Sequence, residues 1–467
     1  MTRRWFGTDG IRGEAGVGPL ALPFLLRLGR ALGEQVLEEA RAAGAQPGAV
    51  LIARDTRESG PAITTALADG LRTAGVDTLD LGVLPTAGLP MAMRESNAPR
   101  GVVVSASHNP WADNGVKLFG PGGHKLTDEQ EHGLEARIAS LGGESEGDVP
   151  AEFEAPAPSE PPPERDGATD YIRAMLDRFN GVELGGLRLA VDCAHGAAAS
   201  TAPFVLKELG ADVIALFCEP NGRNINRDCG STHMQRLSDR VADGGFDLGM
   251  AFDGDADRVL LVDGTGRLCT GDHMMGFLAS WFFAEGKLPR DTLVTTVMSN
   301  LGLERMLSAQ GVHMLRTSVG DRYVKQAMRE GGYALGGEDS GHLLFGEEHD
   351  YTGDGLYTAL RVLQGLTSTS RDLASVIDAV PRVPQRLLNV PVAARPPVAE
   401  LAELNARVTA LEAEHGDALR IVLRYSGTEN LARVMVEGLD GEVVDSSTDE
   451  LAEIWAREIL QHGSPTS

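Results

Sequence analysis

The sequence predicts a multidomain α/β fold: three tandem α/β domains of similar build, followed by a smaller α+β domain, grouped around a central cleft. Three observations predict it. The chain has 467 residues, and at roughly 100–200 residues per domain that is a multidomain length. Helical patterns closed by a glycine alternate with short β-branched runs, the signature of α/β layers. A weak repeat recurs at domain-sized intervals, Leu71-x-x-x-Gly75-Val-x-x-Leu79, Leu206-x-x-x-Gly210-Ala-x-x-Ile214 and Leu307-x-x-x-Gly311-Val-x-x-Leu315. Each reads as a helix, a glycine C-cap and a strand.

The expected domains are residues 1–155, 156–260, 261–372 and 373–467. The first joins the second through residues 142–168, rich in proline and acid, which read as a linker or surface excursion. The stretch Asp247–Phe252 reads as a strand. Met274–Ala284 is the most apolar run, about half the roughly 20 residues of a membrane-spanning helix, and reads as a buried helix. Beyond Arg371 the pattern changes to a strand over Gln385–Val392, an amphipathic helix over Ala399–His415, strands over Leu419–Tyr425 and Ala432–Gly438, and a final helix over Ser447–Gln461.

Composition excludes some partners. There are 67 acidic and 42 basic residues, a formal charge of −25, which repels nucleic acid and anionic membrane surfaces. If the ligand carries phosphate, its counter-charge must come from a few placed cations or a metal. The four cysteines, Cys193, Cys218, Cys229 and Cys269, show no C-x-x-C spacing and are too sparse for a disulfide framework, so a reduced, cytoplasmic protein is expected. Arg3 and Arg4 are followed by Gly7, Asp9 and Arg12, without the apolar region of a signal peptide.

Two loops carry the chemistry. An apolar strand runs into Ser105-Ala-Ser107-His108-Asn109-Pro110, which reads either as a turn or as a phosphoserine nucleophile loop. Far downstream, Asp253-Gly-Asp255-Ala-Asp257-Arg258 follows a strand, so its carboxylates can converge on a hard divalent cation. An EF-hand is excluded, because Arg258 and Gly264 stand where it needs Gly and Glu. A solvated acidic turn stays open, as does a dehalogenase-like phosphatase with Asp253 as nucleophile. Three carboxylates, a phosphoserine of about −2 and one Mg²⁺ leave a centre of about −3. Cations must crowd it, and Arg258, Arg12, His108 and Lys117, just past an Asp113-Asn114-Gly115 turn, are the candidates. Either Lys117 or His108 can act as general acid/base.

Two further loops complete the set. Gly336–His342 offers Glu338 and Ser340 to neighbouring sugar hydroxyls. Arg424-Tyr425-Ser426-Gly427-Thr428-Glu429-Asn430, with Arg433 beyond, combines guanidiniums, hydroxyls and glycine N–H groups into a cradle for a phosphate dianion.

Together these loops resemble the α-D-phosphohexomutase superfamily. Phe6-Gly-Thr-Asp-Gly-Ile-Arg12-Gly13, Pro220-Asn-Gly222, Asn224-Ile-Asn226, Gly230-Ser-Thr232 and Val319-Gly-Asp-Arg-Tyr323 are similar to its glucosamine branch. The resemblance implies mixed sheets, Ser107 rather than Ser105 as phosphate carrier, and Mg²⁺ held between Ser107 and Asp253, Asp255 and Asp257. It implies interconversion of glucosamine 6-phosphate and glucosamine 1-phosphate through a sugar 1,6-bisphosphate that is both intermediate and activator. A homodimer is an expectation from the family alone. The first phosphate on Ser107 comes from a bisphosphate or from an activating kinase. The alternatives are related mutases acting on glucose or mannose phosphates, the Asp253 phosphatase and a non-catalytic sugar-phosphate sensor. Asp339, where the family often has a neutral residue, and Asn430, where it often has proline, are departures. The Asp339 charge is expected to favour an amino sugar.

Overall fold

The computed structural model describes residues 4–7, 9–142, 161–426 and 430–462. The first sheet contains β1 (Ile11–Glu14), β2 (Val50–Arg54), β3 (Thr78–Val83), β4 (Gly101–Val104), β5 (Asp113–Gly120) and β6 (His124–Lys125) in the order β1-β5-β4-β2-β3, with β6 on β5. It is mixed: β2 runs parallel to β3 and β4, while β5 is antiparallel to β4 and β1. The expected turn at Asp113–Gly115 is instead the start of β5. Its pairing with β1, Gly115 opposite Arg12 and Asn114 opposite Gly13, overrides the local turn preference.

Helices α1 (Leu22–Ala42), α2 (Gly60–Thr73), α3 (Gly88–Ser96) and α4 (Asp128–Ser140) accompany this sheet. The first two approach closely through glycine. A Cβ on Gly29 would lie 2.2 Å from the Leu67 carbonyl oxygen, and one on Gly70 2.1 Å from that of Leu26. The contact allows no methyl group. Gly70→Ala is therefore expected to destabilise by about 3 kcal/mol despite alanine's better helix propensity, read as a lower urea midpoint. An unchanged midpoint would mean that the helices separate freely.

The second sheet follows α5 (Gly167–Arg178). Its strands are β7 (Arg188–Asp192), β8 (Asp212–Leu216), β9 (Leu248–Phe252), β10 (Val259–Asp263) and β11 (Leu268–Cys269), ordered β11-β10-β9-β7-β8, with α6 (Ala202–Glu208) and α7 (Gln235–Ala242) between them. Here β7 is parallel to β8 and β9, whereas β10 is antiparallel to β9 and β11. All of β9 is buried, as for a strand covered on both faces. Much of the expected linker, 143–160, lies outside the described residues. Its far end is not a free excursion: Asp80 N donates to Pro163 O at 2.9 Å and Arg165 N to Asp80 O at 2.8 Å, extending the edge of β3.

Next come α8 (Gly271–Ala284), which buries Met274, Met275, Phe277 and Leu278 as expected, then β12 (Thr292–Thr296), α9 (Leu301–Ala309), β13 (His313–Thr317), α10 (Asp321–Gly331) and β14 (Leu335–Gly337). Strand β12 is parallel to both β13 and β14. They are followed by β15 (Leu343–Phe345), α11 (Gly355–Thr369) and α12 (Leu373–Ala379). The C-terminal sheet, β16 (Gln385–Pro391), β17 (Leu419–Tyr425) and β18 (Leu431–Gly438), is antiparallel in the order β16-β18-β17 and packs on α13 (Ala402–His415) and α14 (Gly441–His462). Helix α14 begins well before the expected Ser447. Asp440 Oδ1 accepts the N–H groups of Glu442 and Val443, and Ser446 and Thr448 satisfy their hydroxyls on carbonyls of the preceding turn.

The three α/β domains and the α+β domain match the predicted class. By contacts the chain divides into two compact units, 1–274 with 340–376, and 275–339 with 377–467. Among the described residues, no helix is long and apolar enough to cross a membrane.

Candidate active site

Strand β4 delivers the serine loop. Ser105 is buried and fully used: its Oγ accepts the Ser107 N–H at 2.9 Å and donates to Asp55 Oδ2 at 2.6 Å. Ser107 is the serine facing the acidic loop, its Oγ donating to Asp253 Oδ2 at 2.5 Å, with His108 Nδ1 3.3 Å away. Its φ is 53°, in the left-handed region that a side chain disfavours, so its neighbours must hold it there.

Asp253, Asp255 and Asp257 are all buried and can present one oxygen each within 4.8 Å of one another. Asp253 Oδ1 accepts the Arg258 N–H at 3.2 Å. Asp255 Oδ2 accepts both Thr86 Oγ1 and Lys117 Nζ at 2.7 Å, whereas its Oδ1 is buried with no hydrogen-bond partner among the described residues. That orphaned oxygen and the all-carboxylate donor set fit a hard divalent cation such as Mg²⁺.

Lys117 occupies the hub. On β5, Val116 and Leu118 face the apolar core, and strand alternation turns Lys117 to the opposite face. Its Nζ meets Asp255 at 2.7 Å, Asp9 at 3.2 Å and Asp257 at 3.5 Å, with 1% of the side chain exposed. Burial opposes its charge, but Asp255, Asp9 and Asp257 outweigh it and hold its pKa well above the usual lysine value. Asp257 is likewise desolvated, yet Lys117, His342 and Arg258 hold its carboxyl well below the usual range. Burial, then Asp257 and Asp255, push Asp253 well above it. Burial, then Arg258 and Arg12, lower His108 to about 4.

The remaining candidates are placed as follows. Arg12, opposite Gly115, pairs with Asp9, which also binds Lys125 at 2.6 Å. Arg258 Nε lies 3.8 Å from Asp257 Oδ1. Ser340 Oγ is buried without a hydrogen-bond partner among the described residues. Glu338 Oε1 accepts the Gly320 N–H at 3.1 Å. Asp339 departs from its expected role: Arg382 Nη1 lies 3.0 Å from both of its carboxylate oxygens and neutralises the charge expected to favour an amino sugar. Arg424 on β17 and Arg433 on β18 are direct cross-strand partners. Like charges so placed repel, and burial together with Arg433 lowers the Arg424 pKa; an anion between them would relieve both. Ser426 is buried at the end of β17. Gly427 and Thr428 lie outside the described residues.

Four family models match consecutive stretches: phosphoglucomutase/phosphomannomutase α/β/α domain I over residues 3–143, domain II over 169–266, domain III over 270–383 and the C-terminal domain over 387–454. The chain belongs to the phosphoglucomutase/phosphomannomutase family. Within it, the chain is 42% identical to a phosphoglucosamine mutase of Koribacter versatilis, over 97% of this chain and 96% of the relative. It is 43% identical to that of Dinoroseobacter shibae, over 97% and 98%. Among solved structures, a phosphoglucomutase/phosphomannomutase family protein of Burkholderia thailandensis superposes with a TM-score of 0.77 at 27% identity, covering 99% of both chains. The N-acetylphosphoglucosamine mutase of Aspergillus fumigatus, solved with GlcNAc-6P and magnesium, shares the fold with a TM-score of 0.65 at 19% identity, over 98% of this chain and 96% of that one.

Some residues of this candidate site were not singled out by sequence. His342 Nδ1 lies 3.5 Å from Asp257 Oδ1, and its place at the end of the sugar loop was the available signal. Asp9 stands in the opening motif beside Arg12. Thr86 had no signal, because its role depends on a fold contact with Asp255, 169 residues away.

Proposed function

We propose that the protein interconverts glucosamine 6-phosphate and glucosamine 1-phosphate, with Ser107 as a reversible phosphate carrier. The observation that carries this reading is the Ser107 hydroxyl directed at Asp253 inside a buried three-carboxylate cluster. In the first half-reaction the P–Oγ bond of phospho-Ser107 breaks as a P–O bond forms at sugar O1; O1 gives up its proton and the freed Ser107 Oγ takes one up. The bound 1,6-bisphosphate turns over. Then its P–O6 bond breaks, the phosphoryl group returns to Ser107 Oγ, and O6 takes up a proton. The Ser107 proton has two acceptors at hand, Asp253 Oδ2 and His108 Nδ1.

When bound by Asp253, Asp255, Asp257 and Ser107, Mg²⁺ supplies charge neutralisation at the phosphoryl oxygens. Lys117, fixed as a cation, Arg12 and Arg258 offset the developing charge. Glu338 and Ser340 grip sugar hydroxyls, and Arg424, Ser426, Gly427, Thr428 and Arg433 hold the phosphate that is not reacting. The sugar 1,6-bisphosphate also serves as activator, recharging Ser107 when it loses its phosphate; an activating kinase is the other source. A homodimer in the cytoplasm completes the reading.

The test is a coupled assay on glucosamine, N-acetylglucosamine, glucose and mannose phosphates, with Ser107→Ala as control. Glucosamine phosphate is expected to lead in kcat/KM by at least about tenfold, the discrimination available from contacts to one substituent. A lead for glucose or mannose phosphate would move the protein to those members of its family. An Asp253 nucleophile is disfavoured because both its oxygens are engaged, by Ser107 and by the Arg258 N–H.

His108 gives a pH prediction. Its imidazole titrates near 4 when folded against roughly 6.5 when unfolded. The unfolded chain therefore binds the extra proton first, and this group's contribution to stability is lost as pH falls from about 6.5 through 4. Histidine NMR titration, assigned by His108→Gln, should place this ring near 4. A midpoint at 6.5 would mean that it is solvated.

A further inference from the structure

The Ser107 loop is held from behind by two side chains that no step above uses. Arg57, 1% exposed, directs its guanidinium at three backbone carbonyls of the loop and one at the start of β5. Nη2 donates to Ser107 O at 3.0 Å and Asn109 O at 2.9 Å, and Nη1 donates to Asp113 O at 2.8 Å and to Pro110 O. Asn226, from the loop before α7, reaches two of the same carbonyls: its Nδ2 donates to Ser107 O at 2.8 Å and Asn109 O at 3.0 Å. Asp55 closes the frame. Its Oδ2 binds Arg57 Nε at 2.8 Å and the Ser105 hydroxyl at 2.6 Å, and Ser105 in turn takes the Ser107 N–H.

Ser107 is thus gripped at its N–H and at its carbonyl, on both sides of a left-handed backbone angle. A third wall is close by, since a Cβ on Gly254 would lie 2.5 Å from Ser107 O. If the angle relaxes, the Cα–Cβ bond swings and carries Oγ away from Asp253. Phosphoryl transfer depends on placing the reacting atoms within a fraction of an ångström.

We propose that Arg57 and Asn226 are positioning residues, a two-sided clamp that returns Ser107 Oγ to one place after each phosphoryl transfer. This rests on Ser107 being the phosphate carrier. The clamp also explains why asparagine stands at the end of the Asn224-Ile-Asn226 motif: a short planar amide presents its two N–H groups to adjacent carbonyls at once. Arginine is needed at 57 because its planar fork serves several carbonyls and still pairs with Asp55, whereas an ammonium supplies the charge without the fork.

The test compares Arg57→Lys, Asn226→Ala and the double variant in the full-length enzyme. The readouts are kcat, KM, thermal midpoint and phosphoserine occupancy at residue 107 by mass spectrometry after incubation with sugar 1,6-bisphosphate. Arg57→Lys is expected to lower kcat about 10²-fold and Asn226→Ala about tenfold, on the order of what misplacement of a reacting group costs. KM stays within about twofold, because the substrate grips are elsewhere, and the double variant loses less than the product of the single losses, because both residues hold the same carbonyls. Wild-type kcat in folded variants, or a loss confined to KM, would overturn the clamp. If Arg57→Lys does not fold, Asn226→Ala alone decides. An unphosphorylated Ser107 in active wild-type enzyme would overturn the carrier reading and the clamp with it, whereas phosphorylated wild type with unimpaired variants sinks only the clamp.

Discussion

Ser107→Ala is expected to abolish mutase turnover, a loss on the order of 10⁵-fold or more, because a covalent carrier has no substitute when its attacking atom is removed. The other serine of the loop cannot take over. Ser105 is buried two residues away with its oxygen committed to the Ser107 N–H and to Asp55. The variant should still fold and still bind Mg²⁺, since the three aspartates are untouched. It leaves Asp253 without its 2.5 Å donor, and that carboxyl already lies well above the usual range through burial and its two aspartate neighbours. Mg²⁺ should still raise the unfolding midpoint, but modestly less than in wild type, because the three carboxylates remain while the Ser107 oxygen is lost as a ligand. Residual activity within tenfold of wild type in the coupled assay would assign the carrier elsewhere.

The second large effect is at Lys117. Lys117→Met keeps the length and removes the charge, leaving the buried Asp255 and Asp257 without the cation they share and the part-exposed Asp9 with Arg12 and Lys125 alone. Removing one partner of a buried ion pair costs about 3–5 kcal/mol, because the remaining charges are left uncompensated. Urea unfolding at neutral pH should show a loss of that order, and kcat/KM should fall about 10³-fold as transition-state charge goes unanswered. The pH dependence has a definite sign. The folded pKa of Lys117 lies well above its unfolded value, so its contribution is fully present below about 10.4, the unfolded pKa, and is lost only as pH rises through the folded one. Asp257, held low chiefly by Lys117 against its desolvation, should titrate higher in the variant, so stability should fail at a higher pH on acidification than in wild type. A stability loss under about 1 kcal/mol would mean that solvent screens the cluster.

The fold was legible where period and punctuation agree. Strand β17 was expected at its observed bounds, and α8 was recognised as a buried helix from its apolar run. Expectation failed where tertiary pairing overrules local preference. The Asp113-Asn114-Gly115 turn became strand because β1 lies beside it, and Pro163–Arg165 joined the edge of β3 rather than remaining linker. The candidate nucleophile and metal-ligand sets could be proposed from sequence because each sits on one short loop, whereas the candidate cations Arg12, His108, Lys117 and Arg258 come from four separate segments. Thr86, Asp55 and Arg57 could not be proposed, because they act through contacts that exist only after folding. Asp339 was misread for the same reason, since its partner Arg382 is invisible from the loop itself.

The most direct test is a single-turnover transfer of radiolabelled phosphate from the phosphoenzyme to unlabelled glucosamine 6-phosphate. Label on Ser107 should resist acid and hydroxylamine, leave the protein within one turnover, and appear in glucosamine 1,6-bisphosphate. Label that is removed by hydroxylamine, stays on the protein, or leaves only as inorganic phosphate would contradict Ser107 as a reversible carrier between the two sugar positions.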